Sequence, residues 1–545
     1  MRVSVKCCVL ILAATIVAVA LRLPCAARRP MHGDEAVHAD KFADLLEQGE
    51  YAYNPQEYHG PTLNYLTLIP AWLGSVKTYA EATEFTVRVV PMFFGVLLVA
   101  LALLLLDGLG GWACVCAAAL TAISPAMVFY SRYYIQEMLL VCFTFGAICF
   151  GYRFTQRRNI GWAILTGACL GLMHATKETC IIAFGAMLAG LWATLFMRQR
   201  EGRGGFGDDI RRVRAWHFVA MIVAGAAVSV LFYSSFFKNS GGILDSFRAY
   251  ATYFDRAGNN RIHEHPWYYY LKMLVYSKYG NGPVWSEGII VLLAVVGGTA
   301  VLMRKGLPAV NIDLLRFILF YTLGMVVVYS AIRYKTPWCV LGLLHGMILL
   351  AGLGAVVLIR IAPNVLPRLI IMCLLLEGCV HLLWQAYAAN YIYDSDSRNP
   401  YVYAHPTVEV FDIVRRVGEY AEVHKDGRSM PIEVICPGDD YWPLPWYFRS
   451  YSNVRWANKV QKETSLAPVI LASPSVEAEL AEKLWNEAIP VEQRQMYVYL
   501  FDEPYYVWLR PQVELLGFVT KDLWEARQAA TGPAPNFLVD KASEK

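Results

Sequence analysis

Apolar residues in this chain are gathered into blocks. Between about 5 and 390, runs of close to twenty apolar residues alternate with short polar stretches. A helix of about twenty apolar residues crosses the hydrocarbon core of a bilayer. By that rule eleven spans are predicted, at about 5–23, 87–106, 111–130, 137–153, 160–174, 179–197, 216–236, 287–303, 314–331, 339–359 and 368–388. Leu66–Leu73 is apolar but too short to cross, and reads as a helix lying in the interface. After about 390 the pattern becomes that of a soluble protein. Val408–Val423 has helical periodicity, Ile432–Cys436 and Val469–Ala472 read as buried strands, Val476–Trp485 as a helix, and Tyr497–Leu509 is aromatic and β-rich. The expected fold is mainly α: a transmembrane bundle of about eleven spans over 1–389, followed by a small α/β domain over 390–545.

Composition agrees with two such regions. The 545 residues are 57% hydrophobic and 17% charged, against about a quarter charged in a soluble domain. The net charge of +4 gives no nucleic-acid footprint. Its distribution reports orientation instead, because Lys and Arg concentrate in cytoplasmic loops. Arg198, Arg200, Arg203, Arg211, Arg212 and Arg214 share one loop; Arg153, Arg157 and Arg158, then Arg304, Lys305 and Arg316, then Arg360 and Arg368 mark three more. All four fall on one side if the N-terminus is cytoplasmic. Arg22, Arg28 and Arg29 are exceptions on the other. The outer side then holds loop one (24–86), a turn at 131–136, a loop at 237–286 and the C-terminal domain. A multi-pass protein of the plasma or inner membrane is expected. Arg2 and Lys6 before the first span and Ala26-Ala27 after it resemble a cleavable signal, but Pro24 and Arg28 argue for an uncleaved anchor. The 13 cysteines form no disulfide or zinc spacing.

Candidate chemistry lies at the outer ends of the spans. Loop one contains His32-Gly33-Asp34-Glu35-Ala36-Val37-His38. Asp34 is placed to cap a helix starting at Glu35, or to act chemically, and the residues leave both open. Asp34 and His38, four apart, can share a helix face. The spacing is not HExxH, which excludes a zincin. Tyr58-His59-Gly60-Pro61 follows, with Tyr58 fitting an interfacial aromatic belt. The second outer turn reads Tyr130-Ser131-Arg132-Tyr133-Tyr134-Ile135-Gln136-Glu137, where ionisable groups beside apolar spans are costly and need partners or a function. His174-Ala175-Thr176-Lys177-Glu178-Thr179 and Arg333-Tyr334-Lys335-Thr336-Pro337-Trp338 place further cations at the depth of a lipid phosphate, which such cations bind well. Snorkelling to headgroups is the plain alternative. Glu377 and His381 lie four apart in the middle of the last span.

The Asp34-Glu35 pair, Tyr130-Ser131-Arg132 with Glu137, Arg333 to Trp338, and Tyr441-Trp442-Pro443-Leu444-Pro445-Trp446-Tyr447 resemble the GT-C superfamily of membrane glycosyltransferases. The likeness is to its protein O-mannosyltransferase and aminoarabinose-transferase branch, and to the bacterial and archaeal flippase-associated, family-39-like group. The resemblance implies an inverting transfer of a sugar from a polyprenyl-phosphate-type lipid to an acceptor on the outer face. It implies Asp34 as base on the acceptor hydroxyl, with Glu35 beside it. Arg132, Lys177, Arg333 and Lys335 are then candidates for the donor phosphate, and His59, Tyr58 and Tyr134 for the substrate groove. Glu137, with Asp34 and His38, is the candidate set for a divalent metal. Asp34 and Glu137 would meet in one groove. No large insertion separates spans seven and eight, unlike the eukaryotic mannosyltransferases, so a glycan or lipid acceptor stands beside a protein one. A transporter or flippase component, and a non-catalytic binder of lipid-linked glycan, are the competing readings. Neither a P-loop nor a Rossmann fingerprint is present.

Overall fold

The structure is a computed structural model that describes residues 4–56, 59–204, 213–259, 263–485 and 494–531, with only the backbone described over 253–259 and at 531. Tyr58, Arg2, Arg211 and Arg212 lie outside the described residues. The chain divides into two compact units. The first comprises Met1–Arg28, Lys41–Lys77 and Ala82–Tyr403; the second comprises Arg29–Asp40, Thr78–Glu81 and Ala404–Lys545.

Among the described residues the helices, in chain order, are α1 (Val5–Arg22), α2 (Gly33–Gln48), α3 (Thr62–Leu73), α4 (Glu84–Ala100), α5 (Gly111–Ile123), α6 (Pro125–Ser131), α7 (Glu137–Arg157), α8 (Ile160–His174), α9 (Cys180–Arg200), α10 (Ala215–Tyr233), α11 (Gly241–Asn259), α12 (Tyr269–Val275), α13 (Gly288–Met303), α14 (Ile312–Ala331), α15 (Val340–Ile361) and α16 (Val365–Tyr391). α17 (Val410–Val423), α18 (Leu444–Tyr447), α19 (Glu477–Leu484) and α20 (Lys521–Thr531) follow. Each of the eleven predicted spans is an apolar helix or a pair of them. Among the described residues, eight helices are long and apolar enough to cross a membrane by themselves. The α5–α6 pair passes the same test together, bent by 57° at Ser124-Pro125. α8 and α13 are apolar but shorter, 15 and 16 residues. The chain is a multi-pass membrane protein.

The two short helices pack where glycine lets backbones approach. A Cβ on Gly167 or Gly171 of α8 would stand 2.0 and 2.3 Å from carbonyl oxygens of Met221 and Gly225 in α10. On Gly297 of α13 and Gly354 of α15 it would stand 2.1 and 2.0 Å from the carbonyl oxygens of Leu350 and Leu293. Small residues at such contacts are how helices associate in lipid, where no hydrophobic drive operates between them.

Buried arginines hold the ends of α1 and α5. Arg22 Nη1 and Nη2 donate to the carbonyls of Ala122 and Thr121, 3.0 and 3.1 Å away, where the bend after α5 exposes them. Arg132 donates to the carbonyls of Arg22, Pro24 and Cys25, and Arg88 to that of Ala26. The last carbonyls of a helix lack intrahelical donors, and these side chains supply them. Among the expected positive-inside exceptions, Arg22 is such a donor, Arg28 pairs with Asp394 and Arg29 with Glu35. At the opposite ends of the spans, Glu201 after α9 accepts from Arg203, Arg304 and Arg316. That places the end of α9, the end of α13 and the start of α14 together, as the alternation of spans requires. The Arg316 guanidinium foremost, with Arg203 and Arg304, holds the Glu201 carboxyl at about 2.

The second unit contains a six-stranded sheet. β1 (Ile432–Ile435) lies parallel between β2 (Val454–Ala457) and β3 (Val469–Ala472). β6 (Val513–Thr520) runs antiparallel to β3, to β4 (Tyr497–Tyr499) and to β5 (Tyr506–Arg510). All residues of β1 and β3 are buried, as expected of strands covered on both faces.

Candidate active site

In the first unit the turn between α8 and α9 is a junction of charge. Lys177 forms an ion pair with Glu137 at the start of α7, and both side chains are buried. The next residue, Glu178, meets a different partner set: its Oε2 lies 2.8 Å from His59 Nδ1, and its Oε1 accepts from the Tyr53 hydroxyl at 3.0 Å. Burial pushes the Glu178 carboxyl up, but His59, then Lys177, more than offset it and leave it below its usual value. Loop one is tied to the same turn by Thr62, whose N–H donates to the Ala175 carbonyl and whose hydroxyl bonds Thr176. Gly60 is needed there, because a Cβ would come 2.3 Å from the Ala175 oxygen. His59 and Lys177 are thus brought to one turn, through Glu178, a residue for which the sequence suggested no role. Its only cue was an acid next to Lys177 between two apolar spans.

Glu137 also lines a cavity bounded by α7, α9, α14 and the start of α15. Leu140, Val141, Met325 and Leu341 make its walls apolar; Tyr321, Tyr329 and Trp338 make them aromatic. The second carboxyl oxygen of Glu137, Oε2, is buried and has no hydrogen-bond partner.

The other expected donor ligands have different surroundings. Arg132 holds the turn after α1 and lies 4.8 Å over the Tyr391 ring. Lys335 is buried, and its ammonium donates to the carbonyls of Ile332 and His265. Burial lowers its pKa. The backbone of Arg333–Lys335 pairs antiparallel with His263–His265: the His265 N–H donates to Arg333 at 3.1 Å and the Lys335 N–H to His263 at 3.0 Å. Arg333, one pleat away, is exposed. Tyr134 is buried, with its hydroxyl 2.8 Å from that of Thr67.

In the second unit the start of α2 sorts two adjacent carboxylates. Glu35 is fully buried; it accepts the His32 N–H at 3.0 Å and pairs with Arg29 at 3.4 Å. His32 Nδ1 in turn accepts the Asp34 N–H at 2.9 Å. His32 and Glu35 therefore make the reciprocal cap of the helix, in the manner of a capping box. Of the two readings left open for Asp34, the cap is not realised: the helix begins at Gly33, and Asp34 sits in its first turn with half of its side chain exposed. His38, one turn on, is buried. Among the described residues no three His, Cys, Asp or Glu side chains are grouped to hold a metal ion. Of the expected ligand set, Glu137 pairs with Lys177.

The sequence model of the family described as dolichyl-phosphate-mannose-protein mannosyltransferase matches residues 62–240, which carry Arg132, Glu137, Lys177 and Glu178. ArnT from Cupriavidus metallidurans, solved with undecaprenyl phosphate, superimposes with a TM-score of 0.57 over 93% of this chain and 97% of its own, at 16% identity. The chain shares the fold of that structure. A second GT-C structure, the oligosaccharyltransferase AglB from Archaeoglobus fulgidus in complex with an inhibitory peptide and a dolichol-phosphate, matches 96% of this chain and 77% of its own (TM-score 0.56, 12% identity). Of another structure of the Archaeoglobus fulgidus oligosaccharyltransferase, tethered with an acceptor peptide, this chain spans 64% (TM-score 0.54, 13% identity). None of the curated proteins matches the sequence.

Proposed function

We propose that the chain is an inverting glycosyltransferase that moves a sugar from a polyprenyl-phosphate-type lipid to an acceptor hydroxyl on the outer face of the membrane. The observation that carries this reading is the buried Lys177–Glu137 pair of the first unit, a fixed cation whose carboxylate partner faces apolar and aromatic side chains of α7, α14 and α15. The family match over 62–240 and the GT-C fold support it.

The roles follow from charge. As the sugar–phosphate bond breaks, negative charge grows on the leaving phosphate. A fixed ammonium in a buried site stabilises that charge far more than it would in water. Lys177 has this role, with exposed Arg333 as a second contact. Arg132 and Lys335, whose cations donate to backbone carbonyls, act instead by holding chain ends in place. Asp34, with its carboxylate half exposed on the first turn of α2, takes the proton of the acceptor hydroxyl; a placed base contributes about 10²–10⁴-fold. His59, Tyr58 and Tyr134 belong to the substrate groove in this reading.

The test is transfer of label from a polyprenyl-phosphate sugar to acceptors by purified full-length protein. Lys177→Met should abolish donor binding. Asp34→Asn should bind donor and fail to transfer it. A chain that binds the donor but transfers nothing, with or without Asp34, would be a binding or flippase-associated protein.

A further inference from the structure

The aromatic segment 441–447 takes no part in the proposed chemistry, yet it is held from several sides. It follows the carboxyl end of β1 in the second unit and ends in the single turn α18, where Leu444, Trp446 and Tyr447 are buried. Arg510 at the end of β5 donates to the Trp442 carbonyl at 3.0 Å. The Tyr447 ring meets Phe411 of α17 edge-on, with 5.9 Å between centroids. Its hydroxyl has a distant partner: it accepts the Met31 N–H at 2.8 Å, a buried bond between residues 416 apart in sequence. The next two residues are met in the same way. The His32 ring lies 4.8 Å from that of His405, and a Cβ on Gly33 would stand 3.7 Å from that of Trp442. Three successive residues are thus gripped by the C-terminal part of the unit, and the fourth is Asp34. His32 passes the hold onward, because its Nδ1 accepts the Asp34 N–H. With half of the Asp34 side chain in solvent, the backbone ahead of it sets where its carboxylate can reach.

We propose that Tyr447 is a positioning residue for Asp34: its hydroxyl fixes the entry to α2, and through it the C-terminal domain sets the reach of the base. The inference rests on Asp34 being that base. A buried N–H without a partner is costly, so the hydroxyl holds Met31 in a way that the ring alone cannot. Placement matters because a shift of about 1 Å, caused far from the reacting atoms, can cost about 10²-fold in rate. Donor binding, assigned to Lys177 and Arg333, has no such dependence on Tyr447.

Tyr447→Phe keeps the ring and removes only the hydroxyl. In the full-length protein, with a labelled polyprenyl-phosphate sugar, it should lower kcat about tenfold and leave the donor Kd unchanged. Hydrogen exchange over 31–36 should rise, while that of β3 stays as in wild type. Asp34→Asn supplies the second arm. Residues that act as a unit do not add, so Tyr447→Phe should cause no further loss in an Asp34→Asn chain. Full turnover by Asp34→Asn alone would overturn the assignment of the base and this inference with it. Where Asp34→Asn is impaired, four results would overturn the inference alone: unchanged turnover in Tyr447→Phe, a loss that multiplies with that of Asp34→Asn, a weakened donor Kd, or exchange raised throughout the sheet.

Discussion

Two neighbouring carboxylates at the start of α2 have opposite surroundings. Glu35 is buried against Arg29 and closes the helix cap, whereas Asp34 keeps half its side chain in solvent. Their substitutions should therefore separate. Asp34→Asn should leave the melting temperature near wild type and lower turnover by roughly 10²-fold or more. Glu35→Gln should destabilise the protein by about 3 kcal/mol, because it removes the negative charge paired with the buried Arg29 guanidinium; thermal unfolding beside initial rates checks both. Equal losses of activity without loss of stability would remove the distinction. Glu178 gives a pH test. Its folded carboxyl titrates below the ordinary 4.5, so its contribution is full above that pH and is lost as pH falls through the lower folded value. The gap in melting temperature between wild type and Glu178→Gln should narrow below about pH 4.5; a gap unchanged to pH 3 would mean that the carboxylate form is not what stabilises the turn. The Asp34 region was legible in type but not in detail. Helix onset was placed two residues late because His32, a residue rarely read as a cap, supplies the acceptor. Glu178 was invisible because its partners, His59 and Tyr53, are more than a hundred residues away in sequence.

Apolar runs gave the spans at the level of elements, since length and hydropathy are local properties. Two features were not local. The break at Ser124-Pro125 lies inside one apolar run, and it becomes visible only once Arg22 is found on the carbonyls it exposes. The pairing of short α8 and α13 with α10 and α15 depends on which glycines face which backbones. That pairing makes a sharp prediction. Gly171→Leu and Gly354→Leu would drive a side chain into a facing carbonyl and should reduce the yield of folded protein sharply, as seen by monodispersity in detergent. Leu at Gly185, which has nothing within 4 Å of its Cβ, should be tolerated. In the second unit, β1 and β3 were read from buried apolar runs. Half-exposed β2 and glycine-interrupted β6 were not, although a Cβ on Gly517 would stand 2.7 Å from Leu500.

For the whole molecule, the alternation of spans and the arginine-rich segment after α9 predict that the N-terminus and the Glu201 cluster are cytoplasmic and the C-terminal domain is outside. A reporter fused after Lys545 should be active only in the outer compartment; activity in the cytoplasm would put Asp34 and Lys177 on the wrong side for the proposed donor. The arginines on the end of α1 also set an order of events during synthesis. Arg88 and Arg132 are made long after the turn they hold. At about 5–20 residues per second, the roughly 110 residues between Arg22 and Arg132 take about 5–20 s to emerge. Until Arg88 emerges the exit of the first span lacks both donors, and until Arg132 emerges it lacks the second. Nascent chains arrested before Arg132 should be cut readily by protease between Leu23 and Arg28, and chains arrested after it should resist. The earliest helix to enter the membrane thus has its end fixed only after α4, α5 and α6 have been made, and the loop carrying Asp34 inherits that delay.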